Sequence, residues 1–250
     1  MNIRNVGEGK VLLLAGGGKV YTDIAARFVR SEKDIQEIVD SPYNAQIVRN
    51  IIDSGHLAAT EFDTFIFAVS GYSRVTEAQL IRKRHASYLI KSGRAELNGK
   101  RKYELVVPKS IRDVVVEDRS KTWTSEDYFA LGEKFYEAAL TQGKREEDAR
   151  YLKPQATAFN AIIGMNAHAL IDWFKIRCCM NAQTEIRDMA NKMLALCKEA
   201  APDLFANAGP SCVDLGYCPE NYRQNPACRK KYLPKHEALA LLKYGWGTSE

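Results

Sequence analysis

Long hydrophobic runs are missing from this 250-residue sequence. The run VLLLA at residues 11–15 falls well short of the ~18 apolar residues that a membrane span requires. It is also too brief for a signal-peptide core, and no clear cleavage site follows it, so it reads as a buried strand of a cytoplasmic protein. Cysteine is sparse: six in a chain of this length do not make a secreted disulfide scaffold. The glycines of GGGK (16–19) lack the spacing and the Lys-Ser/Thr order of a phosphate-binding P-loop. Repeats and low-complexity linkers are absent too. Acid is nearly lacking from one segment: Gln79 to Lys102 holds eight Lys/Arg against the single Glu96. That local +7 exceeds the +5 of the whole chain, so the remainder is slightly acidic.

What is present is ordinary globular composition, 46% hydrophobic and 27% charged, with length enough for a real core. Residues 10–15 and the β-formers TFIFAV (64–69) predict strands. SEKDIQEIVD places Ser31 and Asp34 at capping-box spacing, and SPYNAQIVRNIIDSG predicts a helix with Pro42 early and Gly55 at its stop. SRVTEAQLIRK has helical spacing, with Val75, Ala78 and Ile81 on one face. The basic segment 84–103 reads as a loop. TSEDYFALGEKFYEAALTQG (124–143) predicts an amphipathic helix, with acids in its first turn and apolar residues at 128, 131, 135 and 139. QATAFNAIIGM suits a strand, and the stretch to Pro202 offers one or two long helices. The expectation is an α+β fold: a single compact domain over residues 1–205, with a mixed or antiparallel sheet, followed by a Cys-containing extension over 206–250.

A dense run of cations usually marks a solvated face or a nucleic-acid patch. Here only Tyr88 and Tyr103 interleave with it, which is thin for a base-stacking platform, so nucleic acid is disfavoured as a partner. RKRHASYLIKSGR resembles the signature of the flavin-dependent thymidylate synthases, an Arg-His-Arg followed by seven residues, Ser, and an Arg two further on. Arg82, Arg84, Ser87, Ser92 and Arg94 hold matching positions, with Gln79 upstream. The resemblance extends over roughly residues 50–205: first through His56, Glu61 and Phe67, later through Arg150, Pro154, Asn166, Arg177, Gln183, Glu185 and Ile186.

That resemblance implies reductive methylation of dUMP to dTMP, with FAD as cofactor and methylenetetrahydrofolate and NADPH as co-substrates. The cofactor would supply the hard chemistry and the protein its positioning. It implies Gln79, Arg82, Ser92, Gly93, Arg94 and Arg150 around the nucleotide. Arg177 would lie against the pyrimidine, where a fixed cation stabilises charge developing on a carbonyl oxygen; Arg177 and Arg82 are therefore the expected catalytic residues. His56, Arg82, Lys83, Arg84, Asn166, His168 and Asp172 would face the flavin or the folate. Sites in the family are assembled from several subunits of a homotetramer, so a homo-oligomer is expected. The physics agrees, since Arg meets phosphate with paired, charge-assisted donors and Ser hydroxyls add short contacts.

Several positions depart from the family's pattern. Lys83 replaces the central His of the triad, Leu89 and Ile90 replace an Asn-Glu pair, and Ala95 replaces a Tyr. His168 stands where Arg is frequent, and Asn181 where His is. Three readings follow: a working synthase, a relative acting on another pyrimidine nucleotide, or a nucleotide- or nucleic-acid-binding protein without the chemistry. Taken alone, His56 also suits a helix end, and Asn166 a helix cap. Cys178, Cys179 and Cys197 read as packing thiols. In the tail, Cys212, Cys218, Cys228 and His236 could satisfy tetrahedral zinc, but the tight C-x2-C knuckle is missing, so no metal is assigned.

Overall fold

A computed structural model describes residues 2–18, 20–92, 104–220 and 225–245. In chain order the elements are β1 (Asn2–Asn5), β2 (Lys10–Ala15), α1 (Tyr21–Phe28), α2 (Ile35–Asp40), α3 (Ala45–Asp53), β3 (Thr64–Ser73), α4 (Arg74–Leu80) and β4 (Ser87–Ile90). Then come β5 (Glu104–Val107), β6 (Val115–Asp118), β7 (Lys121–Thr124), α5 (Ser125–Thr141), α6 (Glu146–Ala149) and β8 (Ala158–Asn166). The chain ends with α7 (Ala167–Arg177), α8 (Thr184–Ala200), α9 (Pro202–Phe205), α10 (Ser211–Leu215) and α11 (Lys235–Gly245). Helices and strands alternate irregularly, as the α+β expectation requires. β1 pairs parallel with β5, β6 pairs antiparallel with β7, and a four-stranded sheet has the order β2-β3-β8-β4.

The chain forms two compact units, the first from Met1–Leu12 and Phe67–Ile163, the second from Leu13–Ile66 and Gly164–Glu250. In the first unit, Leu105 and Val107 of β5 pack with Phe129, Tyr136 and Ala149, and Ile3, Ala139, Leu140 and Ala156 close around them. The β6–β7 hairpin runs into α5 through a capping box. The Thr124 hydroxyl accepts from the Asp127 N–H at 3.1 Å, and the Asp127 carboxylate accepts from the Thr124 N–H at 2.8 Å. The Thr124 N–H, with the Thr124 hydroxyl 2.9 Å from the same carboxylate oxygen, holds the Asp127 carboxyl below its ordinary range. Gly143 stops the helix with φ +74°, the left-handed geometry glycine adopts without Cβ strain.

In the second unit the Phe65, Phe174 and Phe205 rings meet edge-on, with centroids 5.2 and 6.2 Å from Phe205, above the fully buried Leu170, Ile186 and Met189. Gly16 and Gly17 serve this core. A Cβ at Gly16 (φ +122°) would sit 2.3 Å from the Phe65 ring, and one at Gly17 (φ +81°) 2.6 Å from the Ala200 carbonyl. Buried Asp63 accepts from the Tyr21 N–H at 2.8 Å, the Thr22 N–H at 2.9 Å and the Thr22 hydroxyl at 2.5 Å. It thereby caps α1 from a distant turn.

Several expectations are corrected. β2 is an edge strand and not a buried one, because among the described residues no strand covers its outer side; Leu12 and Leu14 are 60% and 56% exposed. Asp34 and Asn44 cap α2 and α3, by accepting from the Gln36 and Gln46 N–H groups, and displace Ser31 and Pro42 as start signals. Part of the supposed loop 84–103 is β4, because Tyr88 and Ile90 alternate inward and Lys91 N–H donates to the Asn160 carbonyl at 2.9 Å; residues 93–103 lie outside the described ones. On α4 the buried residues are Thr76 and Leu80, while Val75, Ala78 and Ile81 face outward. On α5 the buried side is Phe129, Glu133 and Tyr136, and Tyr128, Leu131 and Phe135 stay exposed. The α4 stripe read from the sequence is left uncovered, as are Tyr128, Leu131 and Phe135 of the α5 stripe, whereas its fourth member, Ala139, packs on the core.

Candidate functional site

The first unit holds a groove of about 700 Å³ whose walls come from α4, β4, the turn after α6 and β8. Arg74, Lys91, Arg150 and Lys153 supply its cations, and Ser92 and Thr157 its hydroxyls. The local folding places each. Arg74 opens α4 with its N–H on the Thr157 carbonyl at 3.0 Å, and Lys91 is held by its bond to Asn160. Arg150 rides an exposed 3-10 turn (Arg150–Leu152) straight after α6. Lys153 Nζ sits 4.3 Å from the centre of the Tyr136 ring.

Two carboxylates share the groove. Glu77 pairs with Arg74, and Glu104 with Arg4 at 2.6 and 2.8 Å. Among the described residues neither Lys91 nor Arg150 pairs with an acid, so these two carry the groove's uncompensated positive charge. Ile90 also lines it. Glu77, one helical turn into α4, and Glu104 are the carboxylates among its lining residues. Sequence reasoning missed Arg74, Glu77, Lys91 and Lys153; the helical i, i+3 spacing of Arg74 and Glu77 was the available signal.

The basic turn after α4 bears Arg82, Lys83 and Arg84, with Arg82 and Arg84 exposed and Lys83 half-buried. Tyr88 fixes this turn: its hydroxyl lies 2.9 Å from both the Leu80 and the Lys83 carbonyls. Burial pushes the Tyr88 phenol up to about 12, so it remains a donor throughout neutral pH. Tyr88 too went unrecognised in the sequence, where it counted only as a sparse aromatic. Gln79 lies on α4, its amide 3.5 Å from the Val75 carbonyl. Gly93 and Arg94, the two remaining expected nucleotide ligands, fall outside the described residues.

The second unit carries the other expected residues. His56 is exposed just past Gly55, whose φ of +73° ends α3. It lines a cleft of about 670 Å³ with Arg30, Ser31, Lys33, Asn44 and Asn50. Asn166 caps α7, its Oδ1 accepting from the Ala169 N–H at 2.8 Å, which leaves its Nδ2 donors for a ligand. His168 stands between two carboxylates, with Nδ1 3.2 Å from Glu61 and Nε2 3.9 Å from Asp172. Arg177 ends α7 and is half-buried. Cations, hydroxyls, amides and an imidazole make a donor set that fits the phosphates and polar rings of FAD.

Together these features define an α+β protein with an arginine-bearing groove suited to a phosphate-carrying ligand. The family model described as "Thymidylate synthase complementing protein" matches residues 17–203. A flavin-dependent thymidylate synthase of Nitratidesulfovibrio vulgaris is 38% identical over 180 residues, covering 70% of this chain and 73% of the relative. One from Pyrococcus abyssi is 36% identical over 207 residues, covering 80% and 83%. The chain belongs to the flavin-dependent thymidylate synthase family. Its fold is also that of PolB from Streptomyces cacaoi, described as a UMP/dUMP methylase and solved with 5-Br dUMP. The TM-score is 0.66 at 19% identity, covering 82% of this chain and 96% of that one.

Proposed function

We infer that the protein converts dUMP to dTMP by reductive methylation, with FAD as cofactor, methylenetetrahydrofolate as carbon donor and NADPH as reductant. The observation that carries this reading is the first-unit groove, where Ser92 and Arg150, both expected nucleotide ligands, line one cavity with Lys91. A nucleotide monophosphate brings about two negative charges, which Lys91 and Arg150 are disposed to meet. Arg150 offers paired donors, and the Ser92 hydroxyl adds a short contact. Gln79, Gly93 and Arg94 complete the nucleotide set. Arg177 stabilises negative charge on a pyrimidine carbonyl oxygen.

His56, Arg82, Lys83, Arg84, Asn166, His168 and Asp172 are the residues that hold FAD or the folate. When bound, the flavin would supply the redox chemistry of the reductive methylation. Arg82, Lys83 and Arg84 bring positive charge to its acceptor oxygens, and the Asn166 amide offers donors. His168, held by Glu61 and Asp172, presents an oriented imidazole.

A homotetramer is the assembly in which this site is completed, and the uncovered apolar stripes on α4 and α5 support it, since stripes of that kind ordinarily find a partner. Residues 1–205 form the catalytic body and 206–250 an extension. Among the described residues no helix is long and apolar enough to cross a membrane, in keeping with a cytoplasmic enzyme.

One observation favours a second reading. Ile90 lines the groove where the family's signature has an acid, so a pyrimidine nucleotide other than dUMP is the alternative substrate. The deciding experiment measures NADPH oxidation with dUMP, with UMP and with neither, then assays methylated product after adding the folate. dUMP-stimulated oxidation with dTMP formation is the expected result. Stimulation by UMP alone would move the assignment to the second reading. A flavin-free protein that binds neither nucleotide would leave a scaffold without the chemistry.

A further inference from the structure

The second unit's cleft of about 670 Å³ falls within the size range of cofactor sites, and of its lining residues only His56 belongs to the expected site. Its floor is apolar: Ala26, Ile38 and Ile51 are buried and Ile47 is half-buried. Asn44 and Asn50 line it as well. Each spends its Oδ1 on Gln46, Asn44 on the backbone N–H and Asn50 on the side-chain amide, both at 2.9 Å. Among the described residues their Nδ2 donors remain.

Local folding gathers cations on one stretch of the wall. The Arg30 and Ser31 N–H groups both donate to the Arg27 carbonyl, at 3.0 and 2.8 Å, so the chain leaves α1 in a tight turn. The Ser31 hydroxyl then accepts from the Lys33 N–H at 3.2 Å, which keeps Arg30, Ser31 and Lys33 on one short loop. Arg27 is already engaged. It bonds Asp23 at 2.9 and 3.1 Å and the Pro42 carbonyl at 2.8 Å, and Asp23 also accepts from the Asn44 N–H at 3.0 Å. That ion pair braces α1 against the entry to α3 and fixes the wall. Residues 32–40 hold Glu32, Asp34, Glu37 and Asp40, yet among the described residues no acid lines the cleft. Asp34 caps α2, and Asp40 accepts from the Gln36 amide at 2.9 Å. Arg30 and Lys33 are exposed and, among the described residues, neither pairs with an acid. Two uncompensated cations and a hydroxyl thus stand beside an apolar floor and amide donors.

We propose that this cleft holds the phosphorylated adenosine of NADPH, with Arg30, Lys33 and Ser31 on its 2′-phosphate, and thereby selects NADPH over NADH. The inference rests on the reading of NADPH as reductant given above. A 2′-phosphate is a monoester with about two negative charges, which two cations on one loop match. The bridging phosphates of FAD are diesters and lack the second ionisable oxygen. Arg against the ribose 2′-phosphate is also how dinucleotide sites accommodate NADP. The isoleucines suit the face of an adenine, and the Asn44 and Asn50 amides its ring nitrogens. His56 is among the residues expected to hold FAD or the folate, so a reductant seated here starts beside the flavin's residues.

The test uses FAD-loaded, full-length protein with dUMP and compares oxidation of NADPH and NADH. Wild type should show the lower KM for NADPH. Arg30→Ala and Lys33→Ala should each raise the KM for NADPH at least tenfold with little change in kcat, and the preference over NADH should fall by the same factor. Arg30→Lys should recover most of that loss. Calorimetry with adenosine 2′,5′-bisphosphate reads the cleft directly: the probe should bind the holoenzyme more tightly than 5′-AMP does, and Arg30→Ala at least tenfold more weakly. If one variant fails to fold, the other decides. An NADPH preference that survives both substitutions would overturn the cleft's role and leave the reductant reading standing. Wild type that oxidises NADH as readily as NADPH would strike that reading and this inference with it. Release of FAD by the bisphosphate, or displacement of the bisphosphate by p-aminobenzoyl-glutamate, would give the cleft to the flavin's adenosine or the folate's tail and overturn the inference too.

Discussion

Replacing Tyr88 with Phe removes one hydroxyl and nothing else, yet that hydroxyl lies 2.9 Å from both the Leu80 and the Lys83 carbonyls. The substitution leaves the end of α4 without its closing contact. A single such bond contributes about 0.5–1.5 kcal/mol net, and two half-shielded carbonyls lose a shared donor, so about 1 kcal/mol of stability should go. In a chain of this size that corresponds to a melting-temperature drop of roughly 2–4 °C. The loss should reach function as well. Lys83 and its neighbours Arg82 and Arg84 hang from the turn that Tyr88 ties, so flavin dissociation should quicken without any charge having changed.

A pH signature separates this from simple loosening. The folded-state phenol is raised to about 12 by burial, above its ordinary value of about 10. Between those values the unfolded chain has given up the proton while the native protein keeps it. Stability from this group is therefore complete below pH ~10 and lost as pH climbs toward ~12. Thermal melts across pH 8–11.5 should show wild type losing more stability than Tyr88→Phe in the upper part of that window. Equal melting temperatures at neutral pH and parallel alkaline curves would refute the role assigned to Tyr88.

Arg150→Ala should weaken nucleotide binding at least tenfold by calorimetry, since one charge-assisted contact is worth about 1.5–3 kcal/mol; unchanged affinity would remove Arg150 from the site. Ile90→Glu should raise dUMP turnover, measured as dTMP formed, by restoring an acid where the family's signature carries one. Slower dUMP turnover with the variant would show that Glu77 and Glu104 already fill the groove's need for acid. Gly16→Ala should destabilise the second unit by about 1–3 kcal/mol, because its Cβ meets the Phe65 ring at a positive φ; a chemical denaturation midpoint equal to wild type would contradict that packing.

How far the sequence could be read depended on the kind of interaction. Elements whose signals are local were legible: TFIFAV lies in β3, the stretch before Pro202 holds α7 and α8, and Gly143 stops α5. Signals that need a distant partner were not. Asp63 caps α1 across about forty residues, and no spacing rule links it to Tyr21 and Thr22. The apolar stripes at 75/78/81 and 128/131/135/139 were legible as stripes, but of their residues only Ala139 packs against a core. Periodicity reports which side is apolar, never what covers it. At the site, family spacing named Ser92 and Arg150, while Arg74, Glu77 and Lys153 became visible only when α4, β4 and the turn after α6 walled one groove.

The pairing of β1 with β5 sets a schedule for synthesis. Asn2–Asn5 pair with Glu104–Val107, so this strand waits about a hundred residues of synthesis for its partner. The second unit waits longer still, since its opening stretch of 13–66 needs 164–250 to finish its core. Closing such long loops adds entropy slowly with length but delays every contact that rewards it. During that interval the nascent chain carries unmatched strands and uncovered leucines, the kind of surface that favours aggregation. Neither unit can be had by trimming one end of the gene. A fragment of the first would need its two pieces rejoined by a designed loop in place of 13–66.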